Sequence, residues 1–268
     1  MRLIDATRNR LTAARVTTIG LAVFVLACLM LAPGLQRFGI GDVVGLLGLV
    51  AAGVWVMLGV RSAAQARRVR EAAAMVNLGR ADLAGETAER ALTAFNSARP
   101  VTVGAAAVLA RVRFSEGRFL DAAALASFVL SRREKSLVGS KSPVRLLMVE
   151  SLLAAGLTPA AQAAMMPLYD ESLDLNLSLR LLMAQLRIEA RQGAWPAMMQ
   201  GITSKVAMAE LMPTPEAVLA HGMLWLGAER SGQTTWSAFL SRRVKLLGDP
   251  QRLVEREPAL AGLASLPT

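Results

Sequence analysis

A glycine recurs along the C-terminal three quarters of the chain at an almost constant interval. Gly79, Gly117, Gly156, Gly193 and Gly232 are separated by 38, 39, 37 and 39 residues. Each ends one apolar-periodic stretch and opens another: LGRADLAGETAERAL at Gly79, EGRFLDAAALASFVL at Gly117, AGLTPAAQAAMMPL at Gly156, QGAWPAMMQGITSK at Gly193 and SGQTTWSAFLSRRV at Gly232. A fixed period in this range is the signature of a stacked repeat. A glycine at that place suits a helix end, where the backbone must turn left-handed. Each unit therefore reads as helix, tight turn, helix. Thr158-Pro159 reads as a capping residue followed by proline at the first helical position. Breakers fall between units: Asn96 to Pro100, Gly139 to Pro143, Met212 to Pro215 and Gly248 to Pro250.

Composition agrees with a helical chain. Hydrophobic residues make up 54% and aromatic residues 4%, which excludes disorder and disfavours an all-β sandwich. The fold expected is all-α. The chain has one cysteine, Cys28, so a disulfide-stapled secreted fold is excluded.

The first 60 residues read differently. Val16 to Pro33 and Val43 to Val60 are 18-residue apolar runs, each long enough to cross a hydrocarbon core. Joined by the short Gly34–Asp42 loop, they are expected to form a transmembrane hairpin, with helices over about 16–33 and 40–60. The rival is a buried helical hairpin of a soluble core, which would keep a polar edge and usually be shorter. Gly41 with Gly45, and Gly48 with Ala52, place small residues on one helix face for close approach of the first helix or of a second copy of the chain. Arg2, Arg8, Arg10 and Arg15 precede the hairpin, and Arg61, Arg67, Arg68 and Arg70 follow it; Arg37 lies in the loop. The basic flanks predict both termini in the cytoplasm of a bacterial-type inner membrane. Val25-Leu26-Ala27-Cys28 also resembles a lipobox, but the chain beyond it stays apolar where a tether is usually polar.

The net charge of +10 is unevenly placed: residues 1–70 carry +7 and the remaining 198 carry +3. A nucleic-acid binder is expected to concentrate basic residues on its folded domain, so a nucleic-acid partner is not expected.

Counting from each glycine, positions 5, 9 and 12 later hold Ala84, Ala88 and Ala91, then Ala122, Ala126 and Val129, then Ala161, Met165 and Leu168. In this the chain resembles the tetratricopeptide repeat family, in which small and apolar residues at that spacing let the second helix pack closely on the first. The fourth unit (Met198, Ile202, Lys205) and the fifth (Ser237, Ser241, Val244) depart from the pattern, the family's large first-helix aromatics are mostly missing, and the period exceeds its usual length of about 34 residues. An irregular all-helical bundle is the alternative, against which the near-constant spacing speaks. The resemblance implies a right-handed α-solenoid of about five repeats over residues 61–248, with 1–15 a basic N-terminus and 249–268 a polar cap.

It also implies a concave groove lined by the first helices. Six residues before each glycine stand Ala73, Arg111, Glu150, Arg187 and Leu226; Phe114, Arg180, Met183, Arg191 and Arg230 are their neighbours. Arg180, Arg187 and Arg191 share one helix face by spacing, and arginine forks bind carboxylates, so an acidic peptide or protein segment is the expected partner, against a solvated helix face as the ordinary reading.

Catalytic parts are sparse. His221 and Cys28 are the only histidine and cysteine, which leaves no His/Cys metal cluster, and no phosphate loop follows a strand pattern. Four lysines leave a Ser/Lys dyad open, and Asp170, Glu171 and Asp174 read as a solvated loop. The expectation is a non-enzymatic, cofactor-free adaptor tethered at the membrane; a subunit of a membrane enzyme complex is the alternative.

Overall fold

The computed structural model describes residues 20, 41–93, 99–132, 141–256, 260 and 262. The first apolar run, most of the hairpin loop, Cys28, the arginines before residue 41 and much of the two breakers before residue 142 lie outside the described residues, as does most of the segment beyond 256. Twelve α-helices follow one another among the described residues: α1 (Gly41–Asn77), α2 (Ala81–Thr93), α3 (Arg99–Ser115), α4 (Phe119–Leu130), α5 (Ser142–Ala154), α6 (Thr158–Met165), α7 (Leu175–Gln192), α8 (Trp195–Met199), α9 (Ile202–Ala209), α10 (Thr214–Arg230), α11 (Thr234–Leu247) and α12 (Pro250–Arg256). A 3-10 turn, Met166–Leu168, extends α6. These described residues contain no strand.

All five recurrent glycines sit at positive φ, between 65° and 78°. Each turn carries the same two hydrogen bonds. At Gly193 the glycine N–H donates to the Ala190 carbonyl at 3.2 Å, and the next N–H, of Ala194, donates to the Glu189 carbonyl at 2.9 Å. This is a Schellman motif, which satisfies carbonyls that a helix end leaves without partners. The same register holds at Gly79, Gly117, Gly156 and Gly232. The residue after each glycine already begins the next helix: the Leu157 carbonyl accepts from Ala161 N–H at 3.0 Å. Leu157, not Thr158, is therefore the cap residue of α6, and no side chain caps it. Proline stands in the first turn of α3, α5, α6, α8, α10 and α12, where its missing N–H costs nothing.

Positions 5, 9 and 12 after the glycine are buried in the first four units, from Ala84, Ala88 and Ala91 through to Met198, Ile202 and Lys205. In the fifth, Ser237 and Ser241 are half-buried, while Val244 at position 12 is buried and Leu240 fills the core beside it.

The chain divides into two compact units, Met1–Met148 and Val149–Thr268. In the first, α3 is the central helix. Every residue from Val101 to Ala110 is buried, and α1, α2 and α4 pack around it. A helix buried on all sides must be apolar all round, as VTVGAAAVLA is. Its contacts are close: a Cβ at Gly85 of α2 would lie 3.0 Å from Val112 Cγ1. In the second unit α10 is central, buried from Ala220 to Ala228 and enclosed by α7, α8, α9 and α11.

Helix α1 differs from the expectation of a span ending at residue 60. It runs unbroken for 37 residues, about 55 Å at 1.5 Å per residue. RSAAQARR beyond Val60 contains no glycine or proline, so nothing stops the helix. Its Gly48–Asn77 portion is long and apolar enough to cross a membrane, and only 6% of its most apolar 18-residue window is buried. Leu49, Val50, Val54, Trp55, Val56, Met57 and Val60 are all exposed.

Candidate functional site

The arginine stripe of α7 is partly tied down by its neighbours, with Arg180 and Arg187 half-buried and Arg191 exposed. Arg180 reaches α5 and grips Glu150 with two hydrogen bonds, Nε to Oε1 at 3.0 Å and Nη2 to Oε2 at 2.6 Å. Arg191 donates from Nη1 to the Leu153 carbonyl, also on α5. Gln192 donates to Gln162 of α6 at 2.7 Å. The spacing of seven and four does put these arginines on one face, but that face laces α7 to its neighbours. Glu150 and Arg180 consume each other's charge. Arg187, between them in the row, is half-buried and has no ion-pair partner among the described residues.

Met183 and Leu226 are corrected more strongly. Both are buried in the core of the second unit, so neither presents a surface to a partner. Arg230 is exposed at the end of α10. It lines an open cleft of about 860 Å³ with Trp195, Met199, Gln200, Ser231 and Gln233. In the first unit Ala73 is half-buried against the core, and Arg111 places Nη1 3.5 Å from Asn77 Oδ1. Phe114 is half-buried and meets Phe119 edge-to-face, ring centres 5.5 Å apart, across the Gly117 turn.

Two polar clusters escaped the sequence reading. The first explains the lysine at an apolar register position. Helix α8 ends after five residues, and Gly201, at φ 65°, redirects the chain into α9. The Ala197 and Met198 carbonyls lie at that helix end, where Ala197 also accepts from Gln200 N–H at 3.2 Å and Met198 is buried. Lys205 Nζ donates to both, at 3.1 and 2.9 Å, and lies 3.2 Å from Glu189 Oε2. Gln185 supplies a further donor to Glu189 Oε1 at 2.7 Å. The three ammonium protons thus have three partners. Nearby, burial and the Glu189 charge push the Tyr169 hydroxyl above its ordinary range. Asp174, expected only as part of a solvated loop, caps α7 by accepting from Leu177 N–H at 2.8 Å.

The second cluster joins α10, α11 and the end of α9. Arg243 donates from Nε to Glu210 Oε1 at 2.6 Å and from Nη2 to Oε2. His221 is fully buried; its Nδ1 lies 2.7 Å from the Ala217 carbonyl and its Nε2 lies 3.2 Å from Glu210 Oε1, out of hydrogen-bond alignment. The Arg243 hydrogen bonds first, and then attraction to His221, hold the Glu210 carboxyl below its usual range despite partial burial. A carboxylate so held stabilises the fold above its unfolded-state value, and that stability is lost as pH falls through the lower folded value. The wild type is therefore expected to lose thermal stability relative to Glu210→Gln as pH drops below the ordinary carboxylate range. Parallel melting curves for the two proteins across that window would contradict this.

A third feature lies in the first unit: a cleft of about 460 Å³ between α1 and α2, lined by Gln65, Arg68, Glu71, Met75, Thr87 and Arg90. Among the described residues no group of three or more His, Cys, Asp or Glu side chains is placed to hold a metal ion. His221 has no exposed surface through which a substrate would reach it. Comparisons with protein-family models, curated proteins and solved structures return no match.

Proposed function

We propose that the chain is a non-enzymatic adaptor: a transmembrane hairpin holds a solenoid of tetratricopeptide-like helix pairs at the cytoplasmic face of a bacterial-type inner membrane, where it binds a protein partner. The observation that carries the reading is α1. Its apolar half is exposed rather than packed, and it continues without a joint into the first helical pair. A soluble core helix would bury that surface. The exposed arginines that follow it, Arg61, Arg67, Arg68 and Arg70, fit the cytoplasmic end of a span. Tethering raises the effective concentration of a membrane-bound partner.

Within the second unit, the Arg230 cleft is the better partner site than the α7 stripe. It combines an exposed arginine with the half-buried Trp195, residue types enriched at protein interfaces. A carboxylate-bearing segment is the chemistry that Arg230 recognises. The test places a photo-crosslinking amino acid at Gln233, beside Arg230 in the cleft, of the full-length protein in cells, and at exposed Glu216 as control. A discrete adduct from position 233, absent from 216 and weakened by Arg230→Gln, supports the site. No adduct at 233, the same adducts from both positions, or an adduct indifferent to Arg230→Gln removes it.

A further inference from the structure

We infer that the cleft between α1 and α2 is a binding site for the headgroup of an anionic phospholipid. This rests on the reading of α1 as a membrane span. Four arginines and no acidic residue occupy the first ten positions after Val60. Gln65 and Arg68 stand five and eight residues beyond that point, about 7 and 12 Å along the helix. The headgroup layer extends about 5–8 Å past the hydrocarbon on each side, and a long arginine side chain reaches back to it. Helix α2 returns along α1 after the Gly79 turn, which sets Arg90 and Thr87 beside Gln65 and Arg68 at the end of the pair nearest the span.

The charges in the cleft are arranged for an incoming phosphate. Glu71 is engaged by Arg67 Nε at 2.9 Å, and Glu86 by Arg90. Arg68 is exposed and has no ion-pair partner among the described residues. A guanidinium fork offers two parallel donors to a phosphate. A second, independent observation concerns Gln65. Its Oε1 is buried and accepts no hydrogen bond among the described residues. Buried polar atoms ordinarily have partners, and Thr87 does not serve, since its hydroxyl donates to the Leu83 carbonyl at 2.9 Å. A phosphate flanked by hydroxyl groups, as in phosphatidylglycerol, presents an acceptor to Arg68 and, once the Gln65 amide turns into the cleft, a donor to its Oε1. Free inorganic phosphate shares the first chemistry, but not the tethered hydroxyl.

The experiment uses the full-length protein in mild non-ionic detergent, with dioleoyl phosphatidylglycerol, dioleoyl phosphatidylcholine and dioleoyl phosphatidic acid as competing probes and native mass spectrometry as the readout. The wild type is expected to retain phosphatidylglycerol over both others. Arg68→Gln/Arg90→Gln is expected to lower that retention by roughly fivefold for each arginine. Arg61→Gln/Arg70→Gln, an equal loss of charge outside the cleft lining that leaves the Arg67–Glu71 pair intact, is expected to lower it less. Gln65→Leu is expected to keep the preference for anionic lipid and erase that for phosphatidylglycerol over phosphatidic acid. Equal losses in the two arginine variants, no lipid preference in the wild type, or a Gln65→Leu protein unchanged in selectivity would each overturn the site. So would millimolar inorganic phosphate displacing the lipid. Unfolding curves of the variants matching the wild type show that retention, not folding, is read. Extraction of wild-type membranes with alkaline carbonate separates the two readings: release of the chain defeats the membrane span itself, while retention with failed lipid selectivity defeats only the headgroup site.

Discussion

Arginines introduced at Val50 and Val54 are expected to drive α1 out of a bilayer. The two side chains are four residues apart near the centre of the Val43–Val60 run, and both are exposed. An arginine at the middle of a spanning helix costs about 2.5–3.5 kcal/mol on insertion scales, so the pair costs about 5–7 kcal/mol. Neither valine is buried, so the helical units should melt as before. The measurement is the fraction of chain retained after alkaline carbonate, together with the side of the membrane from which a C-terminal tag is digested. Wild-type chain is expected in the pellet with its tag on the cytoplasmic side, and the Val50→Arg/Val54→Arg variant in the supernatant or with its tag on the opposite side. If the exposed face were instead a seam between soluble copies, carbonate would release the wild type, and the variant would become a soluble monomer.

Glu189→Ala is expected to destabilise the second unit by about 3–5 kcal/mol, the range for stranding one member of a buried ion pair. Both side chains are only 11% exposed. Removing the carboxylate leaves the Lys205 ammonium with two backbone carbonyls and no counter-charge. Lys205→Ala strands Glu189 and also withdraws the donor from the Ala197 and Met198 carbonyls. The double replacement Glu189→Leu/Lys205→Met leaves no buried charge and should cost far less than the two single losses together. Its residual cost is about 1–3 kcal/mol for the Met198 carbonyl, since the Ala197 carbonyl still accepts from Gln200 N–H at 3.2 Å. Denaturant unfolding of the full-length protein in detergent measures each cost, and the single replacements Glu189→Leu and Lys205→Met, run beside the double, close the double-mutant cycle that gives the coupling. A single replacement costing under about 1 kcal/mol would mean that water screens the pair.

Lys205 also shows where sequence reading loses its grip. Counted from Gly193, it stands at a position that is Ala91, Val129 and Leu168 in the preceding units, and by pattern alone it marks a failed repeat. The structure keeps the position buried and changes the partner, because Gly201 breaks the helix and creates carbonyls that an aliphatic side chain cannot satisfy. A lysine in an apolar register with a glutamate on α7, 16 residues earlier, was the available signal. The α7 stripe shows the opposite limit. Spacing correctly put Arg180, Arg187 and Arg191 on one face, yet spacing carries no information about what that face meets; Glu150 and the Leu153 carbonyl were waiting on α5. The same limit applies to Met183 and Leu226, named from a family register and found in the core. Nothing in the pattern showed that α10 is enclosed on all sides.

What the sequence determined by itself is local. The five glycine turns, the buried positions that follow them and the helical state of the chain were readable because each depends on backbone conformation and on residues within one helical pair. An αL position and a crossing of two adjacent helices need no distant partner to define them. Only the tertiary structure decided that α3 and α10 are central, and which arginines are already spent on internal carboxylates and carbonyls. Those outcomes depend on contacts between helices that are distant in sequence, and a charge exposed by periodicity becomes a structural bond as soon as such a neighbour supplies the acceptor.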